Sequence, residues 1–221
     1  MLELIQPISK RDQVVTAMKD AILSGTIEPG AAIVESRIAQ QLGAGVPLIR
    51  EALIELEHQG FVQRTPYKNT TVTKLSPSDV RHIFALRVEL EAIAIEWAKE
   101  HAQPADLDKL RQDIRKMGEA AQALDLAQFY EGDIAFHRRI WGLSGNPYLV
   151  DTLERLVVPL FAFFVMKTSR QQASYVESAC MHGKIIDAMA TLDAKDLREM
   201  FRQSLENWKD DMVKLLFNEA E

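Results

Sequence analysis

Cysteine is almost absent from this chain: Cys180 is the sole example in 221 residues. One thiol cannot close an intrachain disulfide, nor can it supply the several thiolates of a cysteine-built zinc site. Long apolar runs are missing too. The most apolar stretch, LVVPLFAFFVM at 156–166, is too short to span a bilayer. The N-terminus lacks the basic run, apolar core and small-residue cleavage site of a secretory signal. These absences point to a soluble cytoplasmic protein with no membrane partner. A basic excess is lacking as well, since the formal charge is −6. Residues 1–75 hold eight Lys and Arg against eight Asp and Glu, so the whole acidic excess falls after Leu75. The first third of the chain is neutral, which weakens the case for tight nonspecific binding to nucleic acid.

What is present begins with apolar content. At 47% apolar residues, a chain of this length forms two small domains, each able to bury a core. The stretch Glu35 to Gln59, ESRIAQQLGAGVPLIREALIELEHQ, reads as two short helices around a tight turn. Ile38, Ala39 and Leu42 give the first an apolar side, and Ile49, Leu53, Ile54 and Leu56 do so for the second. Gly43 and Gly45 interrupt the pattern. Pro47 suits the first turn of the new helix, where its missing N–H has no helical partner. An ordinary αα-hairpin shows the same features, so the flanks decide. After Gly60, the β-prone runs FVQRT and TTVTK bracket the turn-rich Pro66-Tyr67-Lys68-Asn69, and a hairpin directly after such a helix is a wing. Together they make a winged helix-turn-helix, a device for laying the second helix in the major groove of DNA. Upstream, Arg11 to Ser24 carries Val14, Val15, Met18, Ile22 and Leu23 at helical spacing, and Thr26 to Ala32 reads as a turn.

Across residues 8–75, ILSGTIEPGAAIVESRIAQQLG followed by IREALIELEHQGFVQRTP resembles the winged helix of the GntR transcription regulators. The G-x-[IL]-x-P-G turn, the LG pair, the R-E-A-L helix and the Q-G-[FL]-V wing entry occur in register. Where that family reads V-S-R-T-P-V-R before E-A-L, this chain has Ala44, Gly45, Val46, Pro47, Leu48, Ile49 and Arg50. The turn hydroxyl, the Arg that opens the recognition helix and the following Thr are therefore Gly45, Val46 and Pro47. An Arg there reads guanine through a bidentate contact worth about 1–3 kcal/mol of discrimination. Val46 cannot do this. Arg50 remains as a base reader, with Arg37, Arg64 and Lys68 as candidate phosphate contacts. The resemblance thus implies DNA binding with altered or weakened specificity.

Ser76-Pro77-Ser78-Asp79 marks the boundary between a domain at 1–75 and one at 76–221, with Ser78 as the expected N-cap. The rest reads as helix with no alternating strand pattern. Six segments, near 78–101, 105–122, 125–144, 147–168, 171–192 and 194–218, with short connections imply an antiparallel bundle. The fold class is mainly α: a winged helix-turn-helix followed by an all-α bundle.

Polar residues interrupt the bundle's apolar stripes. Arg87 and Glu91 lie four apart on the inner face of the first helix. They fit either a structural ion pair or a guanidinium that clamps an anionic ligand in a cavity. Phe129, Asp133, His137 and Trp141 follow at intervals of four, which puts a carboxylate and an imidazole one turn apart. Ser178, His182, Ile185 and Met189 bring a second imidazole inward. A lone inward histidine is more often a hydrogen-bonded core residue, but two with an aspartate form a donor set for a metal ion.

RVELEAIAIEWA, DIAFHRRIWGLSGNPYL and HGKIIDAMATLDAKDLREMF resemble the FCD-type ligand domain of the FadR subfamily, over nearly all of residues 76–218. The resemblance implies a divalent ion beneath a small-molecule pocket, with Asp133, His137 and His182 in three of the four ligand positions. The fourth, a histidine in the metal-bearing members, is Ser204 here. Zinc, nickel and manganese all suit N/O donors. The alternative is that Ser204 offers space and a hydroxyl to a different effector, with no metal.

The expected function is a ligand-responsive transcription regulator, not an enzyme. It would bind a pseudo-palindromic operator as a homodimer. The resemblance further implies repression and a small organic acid effector, its carboxylate paired with Arg87. Two other classes stay open at this point. Two His and a carboxylate also form the facial triad of non-haem iron oxygenases, although nothing else resembles a catalytic constellation. A helical interaction module that binds neither metal nor effector is the other.

Overall fold

Ser9 starts the first helix, α1 (Lys10–Leu23), its hydroxyl accepting from the Asp12 N–H at 3.1 Å. The structure, a computed structural model, describes residues 9–64, 69–169 and 171–217, apart from the side chains of 172 and 173. It divides into two units, Met1–Lys74 and Leu75–Glu221.

In the first unit α1 buries Val14, Val15, Met18, Ile22 and Leu23, and packs against α3. The helix-turn-helix comprises α2 (Glu35–Leu42) and α3 (Val46–His58). Gly43 closes α2 in the left-handed conformation at φ 60°, which glycine adopts without steric cost. Beneath α3, Ile49, Leu53, Leu56 and Phe61 are almost wholly buried. Ile54, expected on this apolar side, is 55% exposed. The buried positions 49, 52, 53 and 56 follow the helical period, and Ile54 falls one residue off that stripe. Leu42 is likewise exposed.

The wing is a three-stranded antiparallel sheet of order β1-β3-β2. Its strands are β1 (Ala32–Ile33), β2 (Val62–Arg64) and β3 (Thr70–Val72). Ala32, read as the end of a turn, is instead in a strand opposite Thr71. Two residues are too few to display an alternating pattern. The turn itself lies just before, where Gly30 at φ 86° donates its N–H to the Val72 carbonyl at 3.0 Å. The tip of the wing, with Lys68, lies outside the described residues.

The second unit is helical throughout: α4 (Pro77–His101), α5 (Pro104–Ala123), α6 (Leu126–Leu143), α7 (Pro147–Thr168), α8 (Gln172–Thr191) and α9 (Ala194–Phe217). Ser76, not Ser78, caps α4, because Pro77 occupies the first helical position and leaves Ser78 inside the first turn. The Ser76 hydroxyl accepts from the Asp79 N–H at 3.1 Å, and the Asp79 carboxylate accepts from the Ser76 N–H at 2.9 Å. This reciprocal box predicts that Ser76→Ala destabilises the helical unit by about 1 kcal/mol in urea denaturation. Ser78→Ala changes it much less.

Val88, Ile95, Leu110, Phe136, Ile140, Met189 and Leu197 form the core shared by α4, α5, α6, α8 and α9. The apolar run at 156–166 lies on α7, which packs against α4, α6 and α9. Every residue from Leu160 to Met166 is buried, so this stretch of α7 is apolar around its circumference because protein surrounds it. No described helix is long and apolar enough to cross a membrane.

Candidate functional site

Three helices of the second unit converge on one polar cluster. Arg87 and Glu91 come from α4, Asp133, His137 and Trp141 from α6, and His182 from α8. Each sits one or two turns from the next on its own helix, so the faces that carry core residues elsewhere carry these side chains here. All are buried, with Arg87 only 1% exposed.

Glu91 is the hub. Its Oε2 accepts from Arg87 Nε, while its Oε1 accepts from Trp141 Nε1 at 2.9 Å and lies 3.0 Å from His137 Nδ1. Burial pushes this carboxyl upward, but the Arg87 charge and His137 outweigh it and hold it at about 2. Glu91 is therefore ionised and can only accept, which puts the proton of His137 on Nδ1. His182 is oriented in the same way: its Nδ1 lies 2.6 Å from the Ser178 carbonyl oxygen, another obligate acceptor. Both histidines thus turn their Nε2 atoms toward the interior of the cluster.

Those two Nε2 atoms are 3.0 Å apart, and Asp133 Oδ1 lies 3.0 Å from His182 Nε2 and 3.8 Å from His137 Nε2. Burial lowers the His137 pKa, against the pull of Glu91. Burial raises that of Asp133, but its hydrogen bond to His182 and the nearby positive charges prevail and lower it. A neutral His137, a carboxylate and a second ring nitrogen facing one another make three lone pairs directed at one point. Such an arrangement needs a cation, either a proton on His182 or a metal ion. Donors held about 2.0–2.1 Å from a common ion stand about 3.0–3.4 Å from each other in right-angled or tetrahedral sets. Two of the three separations match the lower edge of that range and the third, His137 to Asp133 at 3.8 Å, exceeds it by a few tenths of an ångström, so the donor types and their convergence fit a divalent ion. The hydrogen bonds from Nδ1 to Glu91 and Ser178 are the outer partners that metal-binding histidines use.

Ser204 does not join this set. Its Oγ donates to the Met200 carbonyl of its own helix at 2.9 Å. It lines, with Arg87, His137 and His182, a cavity of about 450 Å³ walled by Phe164, Leu205 and Trp208. Arg87 is held at the inner end between aromatic rings, its guanidinium carbon 4.7 Å from the Phe161 centroid, 5.2 Å from Phe84 and 5.7 Å from Trp208. One of its nitrogens, Nη1, is buried with no hydrogen-bond partner among the described residues. The ion pair with Glu91 thus uses Nε and leaves Nη1 over.

In the winged helix, Gly45 is the N-cap of α3 and offers no side-chain cap, with Val46 and Pro47 opening the helix. Arg50 is exposed but not free. Its Nε pairs with Glu35 Oε2 on α2 at 2.6 Å. Arg64 stands 3.9 Å from Glu57, and Arg37 is exposed with no ion pair among the described residues. Glu91 as the link between Arg87 and His137 was not legible in the sequence, because the link joins residues 46 apart. The spacing of Trp141 four residues after His137 is the one local sign of it.

Residues 10–72 match the model of the bacterial regulatory proteins, gntR family, and residues 82–207 match that of the FCD domain. The chain belongs to the gntR family. Among its relatives, the HTH-type transcriptional regulator McbR of Escherichia coli is 30% identical over 146 residues, 66% of each chain. The HTH-type transcriptional repressor RspR of Escherichia coli is 24% identical over 151 residues, 68% of this chain and 65% of RspR. The chain thus spans about two thirds of the length of these curated relatives. The solved structure of McbR covers 94% of this chain, and this chain covers 99% of it, at 23% identity and a TM-score of 0.70, so the two share a fold. The gntR family and these relatives are transcription regulators rather than enzymes, which decides against the oxygenase reading of the two-His, one-carboxylate set.

Proposed function

We propose that this gntR-family chain is a ligand-responsive repressor that binds operator DNA as a homodimer and takes a small organic acid in the cavity of its helical unit. The observation that carries the ligand reading is Arg87, which lines a 450 Å³ cavity and whose Nη1 is buried with no hydrogen-bond partner among the described residues. An unpaired buried donor costs about 1–3 kcal/mol, and a carboxylate oxygen from a ligand relieves it with a charge-assisted bond. Asp133, His137 and His182 would hold zinc, nickel or manganese beside it. A bound ion there would supply a second positive charge for the carboxylate. The effector couples to DNA by binding more tightly to one state of the dimer than to the other.

On DNA, Arg50 is the base reader and Arg37, Arg64 and Lys68 contact phosphates, while Gly45, Val46 and Pro47 remove the hydroxyl, cation and second hydroxyl of the usual helix start. The test is anisotropy with labelled duplex from immediately upstream of the gene, at two salt concentrations and against a scrambled duplex. The expected result is nanomolar binding that prefers the upstream duplex and weakens when the effector is added. Arg50→Ala should cost about 1–3 kcal/mol and relax the preference at one base pair. Binding that is equally weak on both duplexes and collapses with salt would leave only phosphate contacts and sink the reading of a specific regulator.

A further inference from the structure

We infer that the effector carries a cationic group at the end remote from its carboxylate, which makes it an ω-amino or similarly zwitterionic acid. The inference rests on the acid-binding reading above and narrows its ligand class. The cavity is electrically two-ended. Its inner end is lined by Arg87, whose buried Nη1 has no hydrogen-bond partner among the described residues, which points to an anion. Two carboxylates line the same cavity, Glu177 on α8 and Asp211 on α9, and both are exposed. Exposure ranks the lining residues by depth, so these two form the mouth while Arg87, His137 and His182 form the floor.

Helix geometry agrees with that order. Only Leu192 and Asp193 separate α8 from α9, so the chain reverses direction between them, and residues from the first half of α8 and the second half of α9 line the cavity together. Glu177 and Asp211 both lie beyond the deeper lining residues of their own helices, away from the α8–α9 turn. At 1.5 Å rise per residue, Glu177 is about 7.5 Å along α8 from His182, and Asp211 about 10 Å along α9 from Ser204. Between floor and mouth the walls are apolar, with Phe164, Leu205 and Trp208.

Neither Glu177 nor Asp211 makes an ion pair or hydrogen bond among the described residues, in a unit where Glu89, Glu96, Glu154 and Asp113 are each bound to an arginine. Two unneutralised carboxylates at the entrance repel a dianion and attract a cation. A chain of five or so methylenes with a carboxylate at one end and an ammonium at the other spans about 7–8 Å, comparable with the rise along α8 from His182 to Glu177.

The test is calorimetric titration of the full chain at low salt with hexanoate, 6-aminohexanoate and adipate, which share a chain length and differ in the far group. We expect 6-aminohexanoate to bind about fivefold more tightly than hexanoate, and adipate to bind most weakly, the modest size reflecting an exposed site. In the Glu177→Gln, Asp211→Asn double variant, whose substitutions are on the surface, that preference disappears while hexanoate affinity stays within about twofold. Hexanoate binding with no gain for 6-aminohexanoate, or a preference that survives the double substitution, overturns the charge-matched mouth but leaves the acid site. Binding by none of the three overturns both.

Discussion

Arg87→Met is expected to lower the stability of the helical unit by about 3–5 kcal/mol, measured by urea denaturation followed by circular dichroism. The loss arises at its partner. Glu91 is ionised and 2% exposed, and without the guanidinium its charge is left with the Trp141 and His137 donors alone. Domains of this size have about 5–15 kcal/mol to lose, so the single variant sits near the edge of folding. Its failure to bind a ligand would say nothing about Arg87 as a ligand contact. Adding Glu91→Gln removes the stranded charge and keeps an oxygen to accept from His137 and Trp141. The double variant should recover most of the loss. It should then be folded yet show no heat with hexanoate. A double variant that binds hexanoate as well as the unmodified chain would confine Arg87 to its ion pair.

How far the sequence discloses this site depends on whether the partners share a helix. Arg87 with Glu91, Asp133 with His137, and His182 were all legible as polar interruptions of apolar stripes at the helical period. Each pair is four residues apart, so one-dimensional spacing carries the information. The bond that sets the His137 tautomer crosses between helices, from His137 Nδ1 to Glu91, which also accepts from Trp141, and no spacing encodes it; only the bond from His182 to the Ser178 carbonyl stays within one helix. The same rule governs the first unit. α1, α2 and α3 follow from periodicity, and the hairpin from its flanking β-prone runs. β1 escaped because a strand of two residues is defined only by its partner β3. Ser76 was missed in favour of Ser78 although Pro77 pointed to it, since proline favours the first helical position and puts the cap one residue before it. The sequence put Arg50 on the recognition helix as a base reader but gave no sign that Glu35, fifteen residues earlier on the neighbouring helix, accepts its Nε.

The donor set of Asp133, His137 and His182 should make the protein's melting temperature respond to zinc. An ion present at a hundred times its dissociation constant adds about 2.7 kcal/mol to the folded state, which for a chain of this length is a rise of about 5–10 °C. His182→Ala should abolish the rise, since it removes the nitrogen that lies 3.0 Å from both other donors. Ser204→His works in the opposite direction. It places a third imidazole at the cavity wall, where the hydroxyl now bonds only within its own helix. It should tighten zinc binding about tenfold or more, by completing four protein ligands. The two substitutions separate the cations that satisfy three converging lone pairs. If a proton on His182 does so, zinc, nickel and manganese all leave the melting temperature of the unmodified chain unchanged, and Ser204→His has no metal to capture more tightly. If a divalent ion does so, the response falls with His182→Ala and rises with Ser204→His, which a proton shared between His182 and Asp133 cannot reproduce.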